Sequence, residues 1–545
     1  MPPRRKFWGW GHEGEGVDAA EAEFVRAAVA ARLGALPPPL PVPRREEFQL
    51  RAPRFVPPAA LAAIFSADPA DRLAHAQGQS FADIARAFLR AMAPAPDLVA
   101  FPRTAEEVRH LLDWADGGNI AVIPFGGGTS VCGGVEADVG EGYAATLSID
   151  MRAMNRVLDI DRTNRAALIE AGATGPEFEA ALKPHGLTLR HFPQSYALAT
   201  LGGMIVTRSA GHFATQFTHI DSFVEAVTML SPAGALATRR LPASGAGPDA
   251  AALIAGSEGT LGIVTSAWMR LQDAPIHRAT RSLRFADFFA GAQALRAIVQ
   301  AGLAPANGRL IDPQEAAASG AGTGREALLV LGFESADHPQ DARLQRAVEI
   351  AGDHGGIADP PRAKGGAAEA WRMAFLRMPF WREVLVPCGV IVDTFETACL
   401  WSDFAAFHRA VSDDLKAAMR AATGRDGVIT CRITHVYPDG PAPYFSFYCL
   451  GEQSRMLDQW RAIKLAANQA VVRHGGTATH HHAVGRDHRP RAYDEERPAL
   501  LAAALAGAKA ALDPRAVMNP GVLIDPMGRP AGGRGVLADA AALTP

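Results

Sequence analysis

Residues 124–131 read Pro-Phe-Gly-Gly-Gly-Thr-Ser-Val and directly follow the run Asn-Ile-Ala-Val-Ile at 119–123. The apolar run predicts a short buried strand. Glycine lacks a side chain and tolerates positive φ angles, so the three glycines would let backbone N–H groups approach an anion closely. Thr129 and Ser130 add hydroxyl donors. A phosphate or pyrophosphate is the expected ligand, and a plain tight turn is the alternative for this loop taken alone.

Two further loops rich in glycine, serine and threonine favour the ligand-binding interpretation. They lie at 199–211 and 256–262, and each adjoins an apolar run. The first loop has neither the Gly-Lys-Ser/Thr ending of a P-loop nor the Gly-x-Gly-x-x-Gly spacing of a dinucleotide fold. We therefore expect three loops at strand ends to bind one long cofactor together.

Composition limits the class of protein. The chain has 545 residues, of which 48% are hydrophobic, so it is expected to form more than one domain. Its net charge of −3 gives no indication of a nucleic-acid partner. Five cysteines without Cys-x-x-Cys spacing predict reduced thiols rather than disulfides or a zinc site. No apolar segment resembles a secretory signal or a membrane helix, which predicts a cytoplasmic protein.

Four segments together resemble the vanillyl-alcohol-oxidase, or PCMH-type, flavoproteins that bind FAD. They are Phe-Pro-Arg-Thr at 101–104, the loop at 123–130, Thr-Leu-Gly-Gly at 200–203 and Gly-Ser-Glu-Gly-Thr-Leu-Gly at 256–262. The resemblance covers about 98–275. A later segment, 512–521, is similar to the one that closes these proteins over the FAD domain.

Within that superfamily the chain most resembles the alkyldihydroxyacetonephosphate synthase family. The motifs that carry this resemblance are Trp-Gly-Trp-Gly at 8–11, Arg-Leu-Ile-Asp at 309–312, Trp-Arg-Glu at 381–383, Tyr-Phe-Ser-Phe at 444–447 and three histidines at 480–482. The resemblance implies an α+β fold with a two-subdomain PCMH-type FAD-binding domain, a cap domain with an antiparallel sheet, and a C-terminal segment returning to the FAD domain. The implied ranges are an N-terminal helical and proline-rich extension 1–97, FAD domain 98–275, substrate domain 276–475, closing segment 476–527 and tail 528–545.

The resemblance also implies an activity. Such enzymes exchange the acyl group of acyl-dihydroxyacetonephosphate for a fatty alcohol through a flavin N5 adduct, without net redox chemistry. By position, Tyr444 would be the acid/base, Arg382 and Arg309 would bind the phosphate, and His480, His481 and His482 would form a polar wall. The expected FAD is non-covalent, and a homodimer and peripheral membrane contact are compatible with the resemblance. The residues expected to bind FAD are Pro124, Phe125, Gly126, Gly127, Gly128, Thr129, Ser130, Gln194, Ser195, Thr200, Gly202, Gly203, Thr207, Ser209, Ala210, Glu258, Gly259, Thr260, Gly262, Ile263 and Val264.

Several site assignments have alternatives. Histidines in succession on an extended segment would alternate in direction, so we expect His480 and His482 to face the site and His481 to pack beneath it. A metal at these histidines is the alternative, but successive residues do not easily bind one ion, and no metal is expected. Tyr444 could equally be a core residue of a strand, and Arg432 competes with Arg382 for the phosphate.

Two other function classes stay open. A flavin dehydrogenase or oxidase of a 2-hydroxy acid, of the D-lactate or glycolate type, would use the same fold. Such enzymes carry a His-x-Gly-Asp-Gly-Asn strand and a Glu-His-Gly segment, whereas this chain reads Asp-Gly-Pro-Ala-Pro-Tyr at 439–444 and Thr-His-His-His-Ala at 479–483. These differences favour the synthase. A flavin-binding protein without turnover is the third class.

Overall fold

The computed structural model describes residues 3–360 and 367–525; the predicted tail lies outside the described residues. The strands, numbered in chain order, are β1 (Phe65–Ser66), β2 (Leu98–Ala100), β3 (Ile120–Phe125), β4 (Ala145–Asp150), β5 (Val157–Asp161), β6 (Ala166–Glu170), β7 (Leu187–Thr188), β8 (Val224–Ser231), β9 (Gly234–Ala237), β10 (Ile263–Arg270), β11 (Gln272–Asp273), β12 (His277–Phe285), β13 (Asn307–Ile311), β14 (Ala327–Ser335), β15 (Ile357–Ala358), β16 (Val390–Glu396), β17 (Val428–Val436) and β18 (Pro441–Leu450).

The helices surround these strands, and several begin at a side-chain cap. Thr104 is an N-cap residue, and its side chain accepts a hydrogen bond from the Glu107 N–H at 3.1 Å. The helices are α1 (Ala19–Leu33), α2 (Pro69–Ala74), α3 (Phe81–Phe88), α4 (Ala105–Gly117), α5 (Gly175–Leu182), α6 (Leu201–Val206), α7 (Ala250–Ile254), α8 (Phe288–Gln300), α9 (Pro313–Ala318), α10 (Asp341–Asp353), α11 (Ala367–Leu385), α12 (Phe404–Thr423), α13 (Met456–Arg473), α14 (Asp494–Glu496) and α15 (Ala499–Leu512).

The first sheet places the glycine loop. It has four strands in the order β1-β2-β4-β3, with β2 and β3 parallel to β4. Apolar residues of α4 pack on β2, β3 and β4, and the loop at 126–131 leaves the carboxyl end of β3. Strand β1 belongs to this sheet although it lies within the segment predicted as an N-terminal extension. The other domain boundaries stay predictions.

The second sheet carries the other two loops. Its five antiparallel strands run in the order β5-β6-β10-β8-β9, and apolar residues of α5 and α6 pack against them. The predicted second loop, 199–211, is not all loop, because α6 lies within it; the third loop leads into β10. The C-terminal segment returns to the neighbouring first sheet, because the Val122 N–H donates to the Val517 carbonyl at 2.8 Å and the Asn519 N–H donates to the Val122 carbonyl at 2.8 Å.

The third sheet has seven antiparallel strands in the order β15-β12-β14-β13-β17-β18-β16. Side chains alternate between its faces. Phe445, Phe447 and Cys449 of β18 join the core formed with α8, α12 and α13, whereas Tyr444, Ser446 and Tyr448 face a cavity. A smaller pair, β7 with β11, completes the strand pairing in the described residues. The predicted α+β fold with two sheets in the FAD-binding part and an antiparallel cap sheet is confirmed.

The low-complexity stretch at 314–324 contains most of α9 and a buried carboxylate. Asp312 caps α9 by accepting from the Glu315 N–H at 2.7 Å, and Glu315 is only 3% exposed. The buried carboxylate of Glu315 is stabilised by an ion pair with Arg432 at 2.6 Å. The stretch at 357–369 likewise contains β15 and the start of α11. None of the helices in the described ranges combines the length and apolar character needed to cross a membrane.

Candidate active site

A cavity of about 670 Å³ lies where the three loops meet the third sheet. Its walls come from the loops, from β16, β17 and β18, and from α1 and α11. The predicted cofactor residues that line it are Pro124, Gly126, Gly127, Gly128, Thr129, Ser130, Gln194, Ser195, Thr200, Gly203, Thr207, Ser209, Ala210, Glu258 and Gly259. The structure thus brings most of the predicted cofactor residues together at one surface.

Other predicted cofactor residues lie behind that surface. Phe125 is buried against His75, with ring centroids 4.3 Å apart, and Thr260 donates to the Ser257 carbonyl at 2.7 Å. These residues support the loops rather than line the cavity. The full set outside the lining is Phe125, Gly202, Thr260, Gly262, Ile263 and Val264.

The glycines are required by contacts between the loops. A Cβ on Gly126 would overlap the Thr200 hydroxyl, and one on Gly127 would overlap the Leu198 carbonyl. Gly259, at φ +72°, would place a Cβ 2.9 Å from the ring of Pro124. The three loops therefore touch one another through positions without side chains. Together they leave a wall of small residues, hydroxyls and backbone groups that fits a dinucleotide cofactor.

Glu258 joins the third loop to the C-terminal segment. Its carboxylate accepts from the N–H groups of Val484 at 2.8 Å and Gly485 at 2.7 Å, and Asn519 donates to its backbone carbonyl at 2.7 Å. Burial raises the pKa of Glu258 to about 7, although the two N–H donors oppose the shift. A change of protonation here would act on the cavity wall and on the closing segment together.

The histidine segment bends around a buried carboxylate that sequence reasoning missed. Glu396 accepts from the backbone N–H groups of His480 at 2.7 Å, His481 at 3.1 Å and His482 at 2.8 Å. Burial would raise the Glu396 pKa, but His481 and His482 beside it hold that pKa well below its usual range. The bound carboxylate therefore sets the path of the segment.

This bend makes the predicted histidine orientation wrong. His481 and His482 line the cavity, whereas the imidazole of His480 lies behind the wall and bonds to the Tyr437 hydroxyl at 2.8 Å. An extended strand would have alternated the three rings, but the segment turns around Glu396 instead.

Tyr444 occupies the centre of a row across three strands. It is paired with Glu396 on β16 and with Arg432 on β17, so all three side chains share one face. Its hydroxyl donates to the Thr394 hydroxyl at 3.1 Å. Burial raises the pKa of Tyr444, although Arg432 opposes the shift. At neutral pH the phenol is therefore protonated and able to donate.

Arg309 differs from the other cavity arginines. Arg382 pairs with Asp393 at 3.2 Å and Arg432 pairs with Glu315 at 2.6 Å. In the described ranges no carboxylate lies within ion-pair distance of the Arg309 guanidinium, and its Nε has no hydrogen-bond acceptor. Burial and the charge of Arg432 lower the Arg309 pKa to about 9. A buried cation without a partner is a site for an anion.

Aromatic rings of α11 hold the Arg309 guanidinium in place. Its central carbon lies 4.2 Å from the centroid of Trp371 and 5.4 Å from that of Phe375. These cation–π contacts fix the plane of the guanidinium and leave its edge for an incoming oxyanion. The Nε1–H of Trp371 is also buried without an acceptor in the described ranges.

One group of histidines has the proximity that a metal site would need. The nearest ring nitrogens of His435, His480 and His481 lie within 4.8 Å of one another. They already have protein partners, however: His435 Nε2–H donates to the Gly211 carbonyl at 2.7 Å, and both nitrogens of His480 are hydrogen-bonded. An ion here would have to replace these bonds.

Comparison with known proteins also indicates that the chain binds FAD. A family model described as the FAD binding domain matches residues 96–239, and one described as the C-terminal domain of FAD linked oxidases matches residues 274–523. The two models lie one after the other along the chain, so both parts of the chain are similar to FAD-linked oxidases. FAD is accordingly its cofactor, as the loops and the resemblance predict.

Proteins named alkyldihydroxyacetonephosphate synthase are similar to most of the chain. The protein of Trypanosoma brucei brucei is 29% identical over 481 residues, covering 83% of this chain and 77% of the relative. The protein of Dictyostelium discoideum is 29% identical over 451 residues, covering 78% of this chain and 72% of the relative. A solved structure of a synthase of that name shares the fold, with a TM-score of 0.78 and 24% identity over 94% of this chain and 97% of the other. The predicted resemblance is confirmed.

Proposed function

We propose that the protein exchanges the acyl group of acyl-dihydroxyacetonephosphate for a fatty alcohol. The observation that carries this proposal is the unpaired, buried guanidinium of Arg309 in the same cavity as the FAD loops and Tyr444. A phosphate ester would supply the missing negative charge and accept two parallel N–H bonds. A small 2-hydroxy acid would also supply a carboxylate there, but it has no hydrocarbon chain to contact the apolar side of the cavity at Val25, Val29 and Leu385.

The proposed reaction balances without an external oxidant or reductant. The oxygen of the fatty alcohol forms the new ether bond to the substrate carbon, and the ester oxygen leaves with the fatty acid. The alcohol proton passes to the departing carboxylate. When bound, FAD supplies an electron-accepting ring that activates the substrate carbon.

Individual residues have proposed roles in this exchange. Arg309 binds the phosphate, and the protonated phenol of Tyr444 donates a hydrogen bond or a proton at the substrate carbonyl. Arg382, which Asp393 neutralises in part, orders the cavity wall beside the phosphate. His481 and His482 complete the polar wall. The apolar side of the cavity at Val25, Val29 and Leu385 is suited to a hydrocarbon chain.

The test is an incubation of the FAD-loaded protein with acyl-dihydroxyacetonephosphate and a fatty alcohol under anaerobic conditions, without an electron acceptor. We expect alkyl product and free fatty acid in equal amounts. Reduction of the flavin by D-lactate or glycolate, with no alkyl product, would instead assign the protein to the dehydrogenase class. A homodimer, a cytoplasmic location and peripheral contact with a membrane are further proposals.

A further inference from the structure

A chain of hydrogen bonds runs behind the cavity wall and ends at His481. The Nε2 of His219 bonds to the backbone carbonyl of His480 at 2.8 Å, and its Nδ1 lies 3.1 Å from the Thr218 hydroxyl. That hydroxyl lies 2.9 Å from the hydroxyl of Tyr437, which lies 2.8 Å from Nε2 of His480. The Nδ1 atoms of His480 and His481 are 3.0 Å apart. Five side chains are thus connected in series.

The first proton position is fixed by the backbone. A carbonyl oxygen can only accept, so Nε2 of His219 must carry a hydrogen. Burial lowers the pKa of His219, so its ring is neutral at neutral pH and its Nδ1 can only accept. The Thr218 hydroxyl therefore donates to His219. Its oxygen is then the acceptor for the hydroxyl of Tyr437.

The same reasoning fixes the remaining protons. Since the Tyr437 hydrogen points to Thr218, its oxygen accepts from Nε2–H of His480. Burial holds the pKa of His480 well below its usual range, so His480 is neutral and its Nδ1 accepts. The remaining donor is Nδ1–H of His481. A carboxylate oxygen of Glu396 lies 3.2 Å from that Nδ1, and its negative charge also favours a hydrogen there.

We propose that Thr218, Tyr437 and His480 are positioning residues that fix the His481 proton on Nδ1 and thereby make its Nε2 a proton acceptor at the cavity. The tautomer follows from the hydrogen-bond geometry with His219 and His480 neutral; its use in turnover rests on the proposed function. There, Nε2 accepts the proton of the fatty alcohol as its oxygen bonds to the substrate carbon, and returns it to the departing carboxylate. The groups facing His481 are Glu396, His480, His482, His435 and Tyr444.

The sharpest test removes a single oxygen atom from the series of hydrogen bonds. Tyr437→Phe removes the oxygen that accepts from His480 while keeping the ring, and Thr218→Val removes the next link. Tyr493→Phe is the matched control, because Tyr493 contacts Arg497 and does not belong to the series of hydrogen bonds. Full-length, FAD-loaded protein labelled with ¹⁵N-histidine would be studied by long-range ¹H–¹⁵N NMR, with His481→Gln used to assign the signal.

We expect wild-type His481 to show a hydrogen on Nδ1 and an unprotonated Nε2. Tyr437→Phe and Thr218→Val should both move His481 towards the other tautomer, whereas Tyr493→Phe should not. Detection of Nε2–H in the wild type, or an unchanged His481 signal in both chain variants, would overturn the proposal.

A kinetic measurement separates this proposal from the proposed function. In an active enzyme, Tyr437→Phe should lower kcat at least about tenfold with KM nearly unchanged, because proton transfer rather than binding is affected. Absence of exchange activity together with the expected tautomer would refute the proposed function and support the positioning chain. Full kcat in Tyr437→Phe with a changed tautomer would refute the role of Nε2 in turnover.

Discussion

The guanidinium carbon of Arg432 lies 3.8 Å from the centroid of the Tyr444 ring. The contact follows from the register of β17 and β18, which pairs these two residues directly. Glu315 neutralises Arg432 from the other side, so this arginine supports the phenol and is not free for phosphate. This separation of roles supports the proposal that Arg309 binds the phosphate.

Replacement of the Tyr444 hydroxyl tests its role in the chemistry. Tyr444→Phe should lower kcat by about 10²-fold or more, because a proton donor in the transition state typically contributes that much. Bound FAD, measured by its absorbance, should be unchanged because Tyr444 lies on the sheet and not on the loops. Wild-type kcat in Tyr444→Phe would remove the phenol from the mechanism.

Loss of the free cation should weaken phosphate binding specifically. Arg309→Met is expected to raise the KM of the phosphate substrate by about 10- to 100-fold, because a hydrogen bond to a charged group contributes about 1.5–3 kcal/mol. Arg346→Met is the matched control, since Arg346 is an exposed residue of α10 paired with Glu349. An equal KM in both variants would place the phosphate elsewhere.

The contacts between loops predict that two glycine substitutions change the stability of the protein in opposite directions. In Gly127→Ala the new methyl group would meet the Leu198 carbonyl, which is backbone and cannot move aside easily. We expect a loss of about 1–3 kcal/mol in the free energy of unfolding, and weaker FAD binding. Gly507→Ala, in an open position of α15, should stabilise the protein by about 0.5–1 kcal/mol. Denaturant unfolding and FAD titration measure both, and a stable Gly127→Ala protein with normal FAD affinity would contradict the packing described.

The raised pKa of Glu258 predicts a pH-dependent stability. Because its pKa is about 7 in the folded protein and lower when unfolded, the folded state holds the proton more tightly. Its contribution to stability is therefore full at acidic pH and is lost as the pH rises through about 7. Glu258→Gln should flatten the loss of stability between pH 5 and about 7, as measured by urea unfolding. An identical pH profile in both proteins would show that burial does not raise the pKa of Glu258.

The sequence carried strong signals for the cofactor loops and for the fold. Glycine and hydroxyl residues at strand ends reflect local backbone demands, so residues such as Gly126 and Gly259 can be identified without a structure. The proposed roles of Tyr444 and Arg309 come from motif resemblance. The alternation at 444–448 is a local pattern that predicts one polar and one apolar face.

Other parts of the site depend on contacts between residues distant in sequence. Glu396 is an ordinary acidic residue at the end of a strand, and only the folded chain shows that it binds the backbone of residues 480–482. The difference between Arg309 and Arg382 likewise depends on whether Asp393 or an aromatic ring lies beside the guanidinium. Neither contact can be predicted from the spacing of residues along the sequence.

The most direct test of exchange without redox chemistry follows the oxygen of an ¹⁸O-labelled fatty alcohol in the FAD-loaded enzyme under anaerobic conditions. We predict one ¹⁸O in each molecule of alkyl product, one unlabelled fatty acid released for each product, and fully oxidised flavin at the end. Label absent from the ether oxygen, or flavin reduced in proportion to the substrate consumed, would contradict the account.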